Sequence, residues 1–155
     1  SLLHFKYQNK KFSKAAQHIL DSNRLELSYG LQSILTPRSY VQGNIMLINE
    51  DKIRGTSTEV DYNEMKIDLS YANKFTAKYS FNAYAHVRDR KYNYFNYTYG
   101  STRKDIGGIA NIGFTMLILP KLRAKISTNY EYVDSNQKAF SYKKNTTTIG
   151  LIRTF

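Results

Sequence analysis

The sequence contains no cysteine, no tryptophan and only two prolines in 155 residues. Without cysteine there is no disulfide framework, no Cys-based zinc site and no thiol nucleophile. No apolar run approaches the roughly 18 residues expected of a membrane-crossing helix, and the mean hydropathy is negative. These absences argue against a helical membrane protein. They leave a membrane β-barrel open, because its crossing strands are only half apolar. Acids are also scarce, with 12 Asp and Glu against 23 Lys and Arg, a formal charge of +11.

A basic balance often signals nucleic-acid or anionic-membrane affinity. Here the cations are scattered, with only short clusters such as NKK (9–11) and RDRK (88–91). Many of them alternate with apolar residues, so they are expected on one face of a strand and nucleic acid is not expected as a partner. What the chain has in abundance is tyrosine, 14 residues, with 8 phenylalanines. One domain, or a piece of one, fits the length. The start at Ser1, with no initiator methionine or leader, is expected to be a processing boundary.

Nearly everywhere the hydropathy has period two, the signature of strands. In FTAKYSFNAYAHV (75–87), Phe75, Ala77, Tyr79, Phe81, Ala83, Ala85 and Val87 alternate with Thr76, Lys78, Ser80, Asn82, Tyr84 and His86. Eight such segments are expected, near 2–9, 23–35, 39–49, 62–72, 75–87, 105–119, 122–133 and 143–155. The connections at 35–38, 72–75 and 119–122 are short, and two of them carry Pro37 and Pro120, which fix φ and donate no hydrogen bond. Long polar segments at 10–22, 50–61, 88–104 and 134–142 alternate with them. The one helical candidate is FSKAAQHILDS (12–22). Short turns at one end and long loops at the other are the habit of an outer-membrane barrel. A transmembrane antiparallel up-and-down barrel, or the C-terminal part of a larger one, is therefore the expected all-β fold.

A small soluble barrel would place its polar face outside. Three features favour the reverse. The polar faces mix charges of both signs, as an interior network would: Lys66, Asp68 and Ser70 on one strand, Arg123, Lys125, Ser127 and Glu131 on another. Aromatics (Tyr71, Phe75, Tyr79, Tyr130, Tyr132) lie near the ends of the apolar faces, where headgroup belts hold amphipathic rings. The chain closes on Phe155, in phase with Ile149 and Leu151. The residues expected to line the interior are Lys66, Asp68, Lys78, His86, Arg88, Arg123, Lys125 and Glu131.

Chemistry is sparse. A Ser–His–carboxylate enzyme would need Ser80, His86 and Glu131 to meet, which spacing cannot show; a histidine in an interior hydrogen-bond network is the preferred reading. No enzyme, cofactor or metal site is expected. His4 and His86 are too far apart to suggest shared ligation. GGIANIG (107–113) lacks the phosphate-loop pattern, and its glycines are expected to relieve crowding. The tyrosine-dense RKYNYFNYTYG (90–100) is expected as an exposed loop rather than a base- or sugar-stacking site.

The terminal TTTIGLIRTF resembles the C-terminal signal of bacterial outer-membrane barrels, with Ile149, Leu151 and Phe155 as its apolar and aromatic positions; Arg153 departs from that pattern. This resemblance implies recognition by the barrel-assembly machinery and a C-terminus at the periplasmic rim. A wider likeness covers 79–155: RDRKY (88–92), TRKD (102–105), LPKLR (119–123) and NYEYVDSNQKAFSYKKN (129–145) are similar to the C-terminal barrel of the surface lipoprotein assembly modifier family. It implies a Gram-negative outer-membrane protein that assists lipoprotein transport to the cell surface, with outer-membrane lipid and a lipoprotein client as partners. Eight strands fall short of that family's longer barrel. The alternative is a small non-conducting barrel acting through its loops in adhesion, surface binding or envelope integrity.

Overall fold

The computed structural model describes residues 1–11, 21–53 and 61–153. It contains Leu2–Lys10 (β1), Ser22–Thr36 (β2), Ser39–Lys52 (β3), Tyr62–Asn73 (β4), Tyr79–Asn96 (β5), Ser101–Leu119 (β6), Leu122–Ser135 (β7) and Tyr142–Arg153 (β8). Each strand pairs antiparallel with its neighbours in sequence, giving one up-and-down sheet in the order β1 to β8. Among the described residues no ladder joins β1 to β8, and the one helical element is a 3-10 turn at Lys138–Phe140. Of the expected helix at 12–22, residues 12–20 lie outside the described part and Ser22 begins β2. Phe155 also lies outside it.

The fifth strand differs from expectation at both ends. Residues 75–78 alternate in phase but form a turn, because Thr76 Oγ1 accepts from the amides of Lys78 and Tyr79 at 3.1 and 3.2 Å. That side-chain bond gives the backbone an alternative to the ladder. At the other end, 88–96 are strand rather than loop, and β6 begins four residues before the expected 105. The connection is only 97–100, closed by Gly100 at φ 62°, a conformation that glycine adopts without steric cost.

The apolar parity lies on the open side of the sheet. Ile45, Ile67 and Val87 stand in one row across β3, β4 and β5, each about half exposed. Leu3, Leu27, Leu69, Ile112 and Ile126 continue the band. The opposite face buries Glu50 (2 % exposed), Asp105 (2 %) and Ser28 (9 %). A flat single layer cannot bury a serine, so the sheet curls toward its charged face. The burial is inverted relative to an ordinary soluble sandwich. At β8 the enclosure fails: Ile149 and Leu151 on one face and Ile152 on the other are all exposed.

One edge of the apolar band is marked by asparagines. Asn9 donates to Asn23 (2.7 Å), Asn49 to Asn63 (3.0 Å) and Asn63 to Asn93 (3.1 Å), all on the outward parity. This ladder marks the end where the long connections lie.

The glycines of β6 relieve crowding. A Cβ on Gly108 would lie 2.6 Å from the His86 carbonyl oxygen and 3.0 Å from the Tyr132 ring. The carbonyl is backbone and cannot swing aside. Gly108→Ala is expected to destabilise the fold by about 1–3 kcal/mol through overpacking, read from chemical unfolding. Gly150→Ala, with open space around it, serves as the neutral control.

Candidate functional site: a charge network on the concave face

The densest polar cluster sits inside the curl at the height of the asparagine ladder, beyond the apolar band. Register brings Arg24 opposite Glu50 and Glu50 opposite Tyr62. The Glu50 carboxylate accepts from Lys10 Nζ (2.7 Å), Ser22 Oγ (2.7 Å), Tyr62 OH (2.8 Å) and Arg24 Nη1 (3.3 Å). Arg24 also donates to Tyr62 OH (3.1 Å) and to Glu26 (3.1 Å). The contact from Lys10 on β1 to Glu50 on β3 reaches past β2.

The cluster continues sideways. Arg90 Nε donates to Glu64 at 2.6 Å, and its guanidinium lies 4.0 Å over the Tyr62 ring. Arg103 holds Asp105 through two nitrogens and stacks 3.8 Å from the Phe140 ring. Tyr62 and Tyr92 pack with centroids 5.7 Å apart. Arginines between acids and rings form a cross-linked layer across this end of the concave face.

Burial pushes the Glu50 carboxyl up, but the hydrogen bonds from Lys10, Ser22 and Tyr62 more than reverse this and hold it below the usual carboxylate range. Burial pushes the Tyr62 phenol up to about 12, and its bond to Glu50 acts in the same direction. Glu50 is thus an ionised acceptor and Tyr62 a neutral donor at physiological pH.

Nearer the middle of the sheet, Asp68 accepts from Tyr84 OH (2.8 Å) and Asn44 Nδ2 (3.3 Å) and pairs with Lys66 Nζ (3.1 Å). Tyr84 OH also lies 3.0 Å from His86 Nδ1. With the tyrosine proton given to the carboxylate, its oxygen accepts from the His86 Nδ1–H, which assigns the tautomer. Lys66, Asp68 and His86 are therefore joined through one short chain.

The other expected interior residues face the same side but do not join it. Arg88 is half-buried over Gly107, where an added Cβ would come 3.4 Å from its Nε. Glu131 lies in the same row as His86 with Ile109 between them, and accepts from Tyr142 OH at 2.5 Å on β8. Lys78, Arg123 and Lys125 are exposed near the turns. Ser80 is three inward positions down β5 from His86, about 20 Å at strand rise. Ser80, His86 and Glu131 are not brought together. Among the described residues no group of three or more His, Cys, Asp or Glu could hold a metal ion.

Ile149 and Leu151 sit on the outward parity of β8 and are exposed. The layer around Glu50, Tyr62, Glu64, Arg90 and Arg103 went unrecognised in the sequence. Its only local trace is polar parity at strand ends, and the partners that meet at Glu50 lie 12 to 40 residues from it. A scan against protein-family models and searches of curated proteins and of solved structures found no match to this chain.

Proposed function

We propose that this chain forms a transmembrane antiparallel β-barrel, or the C-terminal part of one, in a Gram-negative outer membrane, and that it assists the delivery of lipoproteins to the cell surface. The observation that carries the membrane reading is the inverted burial: an exposed apolar band outside and buried charge inside. Such a band in water would be a large unpartnered apolar patch; against acyl chains it is matched.

Closure follows from the same premise. In hydrocarbon an unpaired backbone N–H or C=O costs several kcal/mol, so β1 and β8 need partners. They pair with each other in an eight-stranded barrel or with further strands in a wider one. An eight-stranded barrel is filled by its own side chains. A wider one holds water, and the charged face then lines a passage. The lipoprotein role rests on the likeness of 79–155 to the surface lipoprotein assembly modifiers, with the short turns periplasmic.

The membrane reading is tested by size-exclusion chromatography of the purified protein. The expected result is aggregation in plain buffer and one monodisperse species in detergent. Monodispersity without any amphiphile ends the reading. The client role is tested in cells by protease shaving of a co-expressed surface lipoprotein, with and without this protein; unchanged exposure rejects it. The β5–β6 tip, where Tyr97 is 91 % exposed beside Phe95 and Tyr99, favours a second reading, in which the loops bind a surface ligand. Loss of surface binding with lipoprotein exposure intact supports that one.

A further inference from the structure

The two ends of the sheet differ in charge. The segments forming the short-turn end (33–44, 70–84, 113–127 and 148–153) contain Arg38, Lys74, Lys78, Lys121, Arg123, Lys125 and Arg153, and no Asp or Glu. All 12 acids lie elsewhere in the chain. At the other end, Arg24, Lys10, Arg90 and Arg103 are matched by Glu26, Glu50, Glu64 and Asp105. Among the described residues, the cations Lys74, Lys78, Arg123 and Lys125, which make no ion pair, are therefore gathered at one rim.

Three of them, Lys74, Lys78 and Arg123, line a pocket of about 140 Å³ on the concave side of that rim, together with Thr76, Ser80 and Thr115 and the less polar Ala77, Tyr79 and Leu117. Its geometry is held by backbone. The Lys78 carbonyl accepts from the Leu117 amide at 2.8 Å, the Lys74 amide donates to the Arg38 carbonyl at 2.8 Å, and Thr76 Oγ1 closes the turn. Ser80 stands opposite Thr115 and Thr115 opposite Lys125, so a fourth cation stands in the same row as these two hydroxyls. Among the described residues, Lys74, Lys78, Arg123 and Lys125 form no ion pair with any acid.

We propose that this pocket binds a phosphate group, either free in solution or carried on a lipid headgroup. Cations gathered without a counter-charge repel one another, and an anion placed among them removes that cost. Donors are drawn from the turn, from β5, from β6 and from β7, so an anion with several acceptor oxygens, as phosphate has, can engage them together. Arg123 supplies the fork that phosphate accepts, the lysines supply point charge, and the hydroxyls of Ser80 and Thr115 complete the shell. The site needs only the 74–78 turn and strands β5 to β7. It stands whether or not the sheet closes or meets lipid.

The test is isothermal titration of the full chain in a nonionic detergent. Inorganic phosphate and pyrophosphate are titrated in separate arms, and phosphatidic acid in mixed micelles in a third. Saturable binding at one site is expected in at least one arm. Binding of the free anions identifies a water-borne ligand; binding of phosphatidic acid alone identifies a headgroup. Lys78→Gln with Arg123→Gln should weaken it about tenfold or more, and the charge-preserving pair Lys78→Arg with Arg123→Lys should retain it. Lys91→Gln with Lys104→Gln, on the outward face at the opposite end, should leave it within about twofold. Should the first pair fail to fold by circular dichroism, Lys74→Gln on the exposed turn provides the reading, with a loss of about threefold or more. No saturable binding in any arm, or equal weakening by the control pair, overturns the proposal.

Discussion

Placing arginine at Ile67 is expected to cost about 2–4 kcal/mol of stability in a micelle or vesicle. Ile67 lies between Ile45 and Val87 in the same row, and all three are about half exposed. If that row faces hydrocarbon, the guanidinium must be desolvated or drag water and headgroups toward it. If the row faces water, an exposed isoleucine is exchanged for a soluble side chain, and the change stays within about half a kcal/mol. The gap between these outcomes exceeds the error of a reversible denaturant titration. Phe81→Arg and Ile126→Arg, on the same parity of β5 and β7, repeat the measurement. Asn63→Arg, in the asparagine ladder, should cost only about 0–1 kcal/mol, because there the charge reaches the interface. A loss below half a kcal/mol at all three apolar sites rejects the lipid-facing assignment.

Glu50→Ala is expected to be at least as damaging, about 3–5 kcal/mol, because it removes one partner of a buried ionic cluster and strands the others. Lys10, Ser22 and Tyr62 lose their shared acceptor, while Arg24 keeps Glu26. The loss appears in equilibrium unfolding at neutral pH. Acid provides a second readout. The folded-state pKa of Glu50 is depressed, so its contribution is complete above the usual glutamate range and disappears as pH falls through the lower folded value. Stability of the wild type should decline on that acid limb, and Glu50→Ala should flatten it. An alanine variant that unfolds at the wild-type denaturant midpoint shows that the layer is ornamental.

The parity of the chain carried most of the fold. Met65, Ile67, Leu69 and Tyr71 against Lys66, Asp68 and Ser70 describe β4 and the two environments of its faces without any knowledge of its neighbours. The reading failed where local chemistry interrupts a regular pattern. Phe75 and Ala77 keep the phase, yet the Thr76 hydroxyl turns the backbone away from the ladder. The opposite error occurred at 88–96, where both parities are polar or aromatic and resemble a loop. In the structure Asp89 and Lys91 face outward beyond the apolar band, while Arg88, Arg90 and Tyr92 turn inward. The strand continues because its partner β6 continues, a fact located 5 to 19 residues further along the chain.

Strand number, order and the side on which each residue stands were legible along the chain, since successive side chains alternate and a one-residue slip would turn the whole apolar set inward. The identity of the partners was not. That Glu50 meets Lys10, or that Lys74, Lys78 and Arg123 share one pocket, depends on the register of several ladders and on how tightly the sheet coils. Both quantities arise from many weak pairings summed over the fold, and no local pattern encodes them.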